Sequence, residues 1–189
     1  MIKDSYQKLK ITQFGNPVLR QVASNLSISE IKSPETKHLI NKMREFLKTK
    51  KLGIGLAAPQ VGVSKQIAII EIQKTPIRDN IEPLSLAIIN PEITKNYGRK
   101  TQLWEGCISC GSGSAALFAK VPRHKKLELE YYDENGTKVT TVKTSATSSE
   151  TKTGDDINIG LLILLVLIGV AGAITPFALR KKAKEESDK

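Results

Sequence analysis

Gly53-Ile54-Gly55-Leu56-Ala57-Ala58-Pro59-Gln60 is the stretch on which the reading of this chain turns. By composition alone it is a tight, Gly/Ala-rich loop at the end of a helix. The helix comes just before it, over Ser33 to Lys51. Ser33 can cap, Pro34 suits the first turn, and Leu39, Ile40, Met43, Phe46 and Leu47 recur at helical spacing before Gly53. That apolar stripe predicts packing on a sheet. Candidate strands follow at Gln66 to Ile72, Leu86 to Asn90 and Leu127 to Tyr132, and Asp133-Glu134-Asn135-Gly136 then turns the chain into Lys138 to Val142 as a hairpin. The expected fold class is α+β, with a globular unit over residues 1–139. His38 lies on the helix beside the apolar stripe, at a surface or boundary position.

Composition frames this unit. The chain has 189 residues with 40% apolar side chains, enough for a core, and no unbroken apolar stretch in its first thirty residues reads as a secretory signal. The formal charge of +10 is spread along the sequence. Its densest cluster, Lys120-Val121-Pro122-Arg123-His124-Lys125-Lys126, carries no interleaved aromatic residue and reads as a solvated basic face, so no specific nucleic-acid binding is expected. Cys107 and Cys110 form a single C-x-x-C, compatible with a redox pair, half a zinc site or two unrelated thiols.

The last quarter has another character. Nine of the fourteen positions from Thr140 to Thr153 are Ser or Thr, which predicts an exposed linker over residues 140–156. Residues 157–179 form a 23-residue segment whose only polar side chains are Asn158 and Thr175, and a helix of that length spans about 30 Å of hydrocarbon. A single-pass transmembrane helix near the C-terminus is therefore expected, followed by a charged tail over residues 180–189. Lys and Arg number two before the span (Lys143, Lys152) and five after it (Arg180, Lys181, Lys182, Lys184, Lys189), which favours a cytoplasmic tail and an external globular part. Thr153-Gly154-Asp155, the apolar span and the basic cluster resemble a Gram-positive sortase sorting signal. The pentapeptide of that signal falls on Glu150-Thr151-Lys152-Thr153-Gly154, without its leucine and proline.

The stretch Gly53 to Gln60, together with Glu105-Gly106-Cys107-Ile108-Ser109, resembles two of the three active-site motifs of peptide deformylase. Phe14-Gly15-Asn16-Pro17-Val18-Leu19-Arg20 upstream and Val121-Pro122-Arg123 downstream extend the resemblance over roughly residues 10–139. It implies a mixed sheet around a central helix, and metal-dependent hydrolysis of the N-formyl group from the formyl-methionine of nascent bacterial proteins. It implies Fe2+, or Zn2+ or Ni2+, held in part by Cys107. It further implies that Gln60 and the backbone N–H of Ile108 stabilise the oxyanion, and that Gly53, Gly55 and Glu105 serve substrate binding. Formyl-methionyl nascent peptides are the implied partners, with the ribosome in proximity and the domain in the cytoplasm, the opposite address to the one the charges flanking the span favour.

Two departures bear on the chemistry. The family's third motif, H-E-x-x-H, does not occur in this sequence, whose two histidines are His38 and His124. Cys110 and His124 are the available substitutes as metal ligands beside Cys107. After Ser109 the family continues with a hydrophobic residue and Pro-Gly, whereas Cys110-Gly111-Ser112-Gly113-Ser114 stands here. The sequence thus supports three readings: an impaired deformylase-like enzyme, a membrane-tethered peptide-binding pseudoenzyme, and a fusion of a deformylase fragment with a surface-protein anchor.

Overall fold

A computed structural model describes residues 8–50, 53–74, 82–111 and 117–144. The helix predicted after Ser33 is α2, Pro34–Lys48, preceded by the one-turn helix α1, Ile28–Ile31. The Ser33 side chain accepts the Thr36 N–H, and Lys48 sits in the last turn beside the carbonyl end of the helix dipole. Leu39, Ile40, Met43 and Leu47 are buried along one face, the stripe that the spacing predicted.

Five strands form one sheet in the order β1 (Gly55–Ala57), β2 (Ile67–Ile72), β3 (Leu84–Gly106), β4 (Phe118–Tyr132) and β5 (Lys138–Thr144). All four strand pairings are antiparallel, so the mixed character implied by the resemblance is confined to an isolated parallel bridge between Ser24 and Lys65. Alternation sorts the side chains onto two faces. Ile67, Ile69, Ala87 and Ile89 meet α2, while Ala68, Ile70, Ile72, Ile88, Leu127, Leu129 and Tyr131 gather on the opposite face. Both sets are buried, which is why β2 reads as a nearly continuous apolar run. Its one acidic residue, Glu71, points toward α2 and accepts from Arg44 Nε at 2.9 Å. Arg44 Nη1 donates at 2.9 Å to Glu134, so one guanidinium joins α2, β2 and the β4–β5 turn. In that turn Gly136 adopts φ 76, the left-handed conformation that a hairpin of this kind requires.

Three sequence expectations are revised. The strand expected over Leu86 to Asn90 is part of a 23-residue strand. Pro91 and Gly98 suggest breaks, but register shifts between Ile89 and Glu92, Ile93 and Lys95, and Tyr97 and Lys100 carry the strand past them. β4 likewise begins nine residues before the predicted Leu127, at Phe118. Pro122 is tolerated there because β5 pairs with β4 only from Lys126 onward, leaving the stretch around Pro122 bonded to β3 on one side. Finally, Thr140 to Thr144 belong to β5 rather than to the linker, with Thr140 opposite Glu130 and Thr141 opposite Leu129. Threonine is β-branched and fits a pleated ladder as readily as a linker. The rest of the predicted linker, the apolar span, the sorting-signal resemblance and the tail lie outside the described residues. Among the described residues no helix is long and apolar enough to cross a membrane.

Asn90 holds the entry to α1 against the sheet. Its φ is 50, its Oδ1 accepts the Leu26 N–H at 2.9 Å, and its Nδ2 donates to the Leu26 carbonyl at 2.7 Å. Alanine would lose both bonds and tolerate the left-handed backbone poorly. Asn90→Ala is expected to lower stability by about 2–3 kcal/mol in urea unfolding. A loss below about 0.5 kcal/mol, within the range of an ordinary surface substitution, would show that this clamp is dispensable.

Candidate active site

The loop quoted at the outset continues from β1 into a single 3-10 turn, Ala58–Val61, which carries Gln60 into the interior. The Gln60 Oε1 accepts the Ala57 N–H at 2.9 Å. That bond fixes the amide's orientation, so Nε2 points away from its own turn and donates to Ser109 Oγ at 3.2 Å and to Cys107 Sγ at 3.4 Å. Ser109 is buried, and its own N–H also points at the Cys107 sulfur at 3.4 Å. The two motif loops therefore converge on one sulfur with two N–H donors. Cys107 itself is exposed.

The loop after β3 is a tight turn closed by the Cys110 N–H donating to the Cys107 carbonyl at 2.8 Å. Among the described residues the Ile108 N–H, within this turn, has no acceptor. Burial comes first, then the neighbouring Cys107 sulfur through its charge and a hydrogen bond, in pushing the Cys110 thiol above its ordinary range.

An N-terminal segment clamps both loops. The Thr12 N–H donates to the Gln60 carbonyl at 2.8 Å, and the Phe14 N–H to the Ser109 carbonyl at 2.7 Å. Between them, Gln13 donates from Nε2 to the Ile108 carbonyl and accepts the Gly111 N–H at Oε1, each at 3.2 Å. Gln13 joins the cluster although the sequence reading does not name it, and Ser109, quoted there within the Glu105–Ser109 motif, is assigned no role. Gln13 directly precedes the Phe14 to Arg20 stretch singled out above, which is the one signal that could have pointed to it.

Other expected site residues have different surroundings. Glu105 does not face an open groove. Its carboxylate is gripped at both oxygens by Arg123, from Nε at 2.9 Å and Nη2 at 2.8 Å, with side chains 7% and 15% exposed. It braces the β3–β4 ribbon two residues before Cys107. Gly53 answers to the helix: a Cβ there would stand 2.7 Å from Leu47 Cδ1 and 2.9 Å from Lys50 Cβ. Close approach of backbone to α2 explains that glycine. Gly55 lies in β1, paired with Ile70.

His124 is excluded as a partner of Cys107. It pairs with Lys100, six ladder positions from Gly106, or about 20 Å along the strand, and its Nδ1 lies 3.0 Å from the Gly98 carbonyl. Among the described residues no group of three His, Cys, Asp or Glu side chains converges to hold a metal ion. The described donor set, the neighbouring thiols of Cys107 and Cys110, does not by itself fit the divalent metal implied by the motifs.

Fold and site define an antiparallel-sheet domain, backed by one helix, with a thiol, an amide and a hydroxyl clustered where two loops meet. The family model for polypeptide deformylase matches residues 8–149. A peptide deformylase of Leptospira biflexa is 36% identical over 128 residues, covering 67% of this chain and 69% of that protein. One from Limosilactobacillus reuteri is 37% identical over 145 residues, covering 69% and 74%. Among solved structures, a peptide deformylase from Synechococcus elongatus in complex with actinonin superposes with a TM-score of 0.67 at 28% identity, covering 89% of this chain and 76% of that one. A class I type b enzyme from Acinetobacter baumannii, bound to Met-Ala-Ser, shares the fold with a TM-score of 0.69 at 22% identity, covering 87% and 93%. The chain belongs to the polypeptide deformylase family.

Proposed function

We propose that this domain recognises formyl-methionyl peptide N-termini through the Gln60–Cys107–Ser109 cluster, and that it hydrolyses the formamide only weakly. The observation that carries the reading is the Gln60 amide, whose Nε2 is aimed by its bond to Ala57 at the point where the two loops meet. A formyl oxygen there would receive N–H groups from Gln60 and Ile108, donors suited to the charge that develops on a carbonyl oxygen under attack. The rim suits an apolar first side chain. Phe14 and Leu117 are 69% and 66% exposed, and the backbone of each bonds directly to the Cys107 loop.

Weak hydrolysis follows from the donor set. Among the described residues no group of three His, Cys, Asp or Glu side chains gathers around Cys107, whose sulfur has the Cys110 thiol beside it. The groups bonded to that sulfur, Gln60 and the Ser109 N–H, include no carboxylate to move the proton to the leaving amine, a role that contributes about 10²–10⁴-fold in rate. Family membership supports the substrate class. The apolar segment 157–179 supports membrane tethering as part of the same reading, on its length and composition alone.

The test uses the full chain, purified without oxygen and supplied with ferrous or nickel ion. Formyl-Met-Ala-Ser is expected to shift the amide resonances of Gly55, Gln60 and Ile108, while formate release matches that of Cys107→Ser. Turnover well above Cys107→Ser would overturn the weak-hydrolysis reading and place further ligands outside the described residues. Unmoved resonances at saturating peptide would remove the binding reading.

A further inference from the structure

We propose that the outer face of the β3–β4 ribbon is a docking track for single-stranded RNA. The lysine-rich run of β4 contains no aromatic residue in sequence, but the fold supplies aromatics from the facing strand. Lys126 stands opposite Tyr97 and Lys120 opposite Trp104. Directly paired residues share a face, and Lys120, His124 and Lys126 alternate along one uninterrupted strand, so these pairs lie on the same side of the ribbon with Lys100 between them. The Lys126 and Lys95 ammonium groups lie 5.1 and 5.0 Å from the Tyr97 ring centroid, and that of Lys120 lies 5.4 Å from Trp104.

The track is narrow, about 20 Å long from Lys120 to Lys126, and marked by cations and rings in turn. Trp104 remains 68% exposed, which leaves indole surface for a base to stack on. Acids share the face only beyond the lysines: Glu128, opposite Lys95, accepts from the Tyr97 hydroxyl and from Thr94, both at 3.1 Å, and Glu130 follows opposite Glu92. Cations that follow a line, with an exposed ring at Trp104 and a half-buried one at Tyr97, suit a flexible polyanion with stackable bases. A lipid surface asks instead for a broad apolar plane, and lysines interrupt this one. The face is separate from the Cys107 cluster: Glu105 and Arg123, which brace that cluster, point to the opposite side of the ribbon.

Trp104 is the chain's single tryptophan, so the full chain carries its own reporter. Labelled poly-U is expected to bind the full chain and quench Trp104 emission, with affinity falling steeply between about 50 and about 200 mM salt. Lys100→Glu with Lys120→Glu is expected to weaken binding at least about tenfold and to reduce the salt slope by about 1.4, the contribution of two phosphate contacts on a single strand. Lys37→Glu with Lys48→Glu, which changes net charge equally on α2, should leave affinity within about threefold if the track rather than overall charge is read. Equal losses from the two pairs, or no binding at the lower salt, overturn the proposal. Trp104 emission that shifts to the blue on anionic phosphatidylglycerol vesicles while poly-U leaves it unchanged assigns the face to lipid and overturns it as well. Lys100→Gln with Lys120→Gln repeats the test, should the charge reversal disturb folding.

Discussion

Arg123→Met is expected to lower the unfolding free energy of the full chain by about 3–5 kcal/mol, among the largest effects of any single replacement in this domain. The carboxylate of Glu105 is nearly enclosed and takes both of its strong hydrogen bonds from the Arg123 guanidinium. Methionine fills a similar volume and supplies no donor, which leaves a charge buried without a partner. The penalty belongs to the orphaned carboxylate more than to the pair, so Glu105→Leu combined with Arg123→Met should recover most of the loss. Urea unfolding of the two single variants and the double variant closes that cycle. A single-variant loss below about 1 kcal/mol, the scale of an exposed ion pair, would mean that water reaches Glu105 and that the brace is not built as described. Because Glu105 precedes Cys107 by two positions, the same substitution should also broaden the amide resonances of Cys107 to Ser109.

Gln60→Ala is the second large effect, and it acts on stability and binding together. Alanine leaves the Ala57 N–H and the Ser109 hydroxyl without their partner in the interior, at about 1–3 kcal/mol for each group left unsatisfied. It also removes the donor proposed to meet the formyl oxygen, a kind of contact that contributes about 10²–10³-fold where a reaction proceeds. Gln60→Glu separates the two consequences. A glutamate can still accept from the Ala57 N–H, but it cannot donate to Ser109 or Cys107 and brings a negative charge toward the sulfur. Stability should therefore fall less than in the alanine variant, while formyl-peptide binding falls as far or farther. If the glutamate variant binds formyl-Met-Ala-Ser as the wild type does, Gln60 is a structural residue and the oxyanion assignment fails.

The parts of this fold that were legible in the sequence are those governed by local periodicity. Ser33 and the stripe from Leu39 to Leu47 define α2 almost to its ends, and Asp133 to Gly136 define the last hairpin. The long ribbon was not legible. Pro91, Gly98 and Pro122 are breakers by local rules, and only cross-strand pairing shows that bulges and an open edge accommodate them. For the site, the two motif loops could be named from the residues, yet what joins them is long-range. Nothing local announces that Arg123 grips Glu105, that Gln13 bridges Ile108 and Gly111, or that the lysines of β4 face the aromatics of β3. His124 illustrates the converse: a plausible ligand by residue type, it is carried far from Cys107 by the register of the ribbon.

The Gln13 clamp also sets an order of events during synthesis. Its two bonds join residues 95 and 98 positions apart. β1, β2 and the first part of β3 can pair as soon as they leave the ribosome, but the clamp has nothing to close on until the loop beyond Gly106 has emerged. Contacts of such separation form late and slowly, since the intervening chain must be ordered before they contribute. The loop cluster around Cys107 is thus completed at the end of folding: a chain arrested earlier can hold a sheet and a helix, yet lack the converged Gln60–Cys107–Ser109 arrangement.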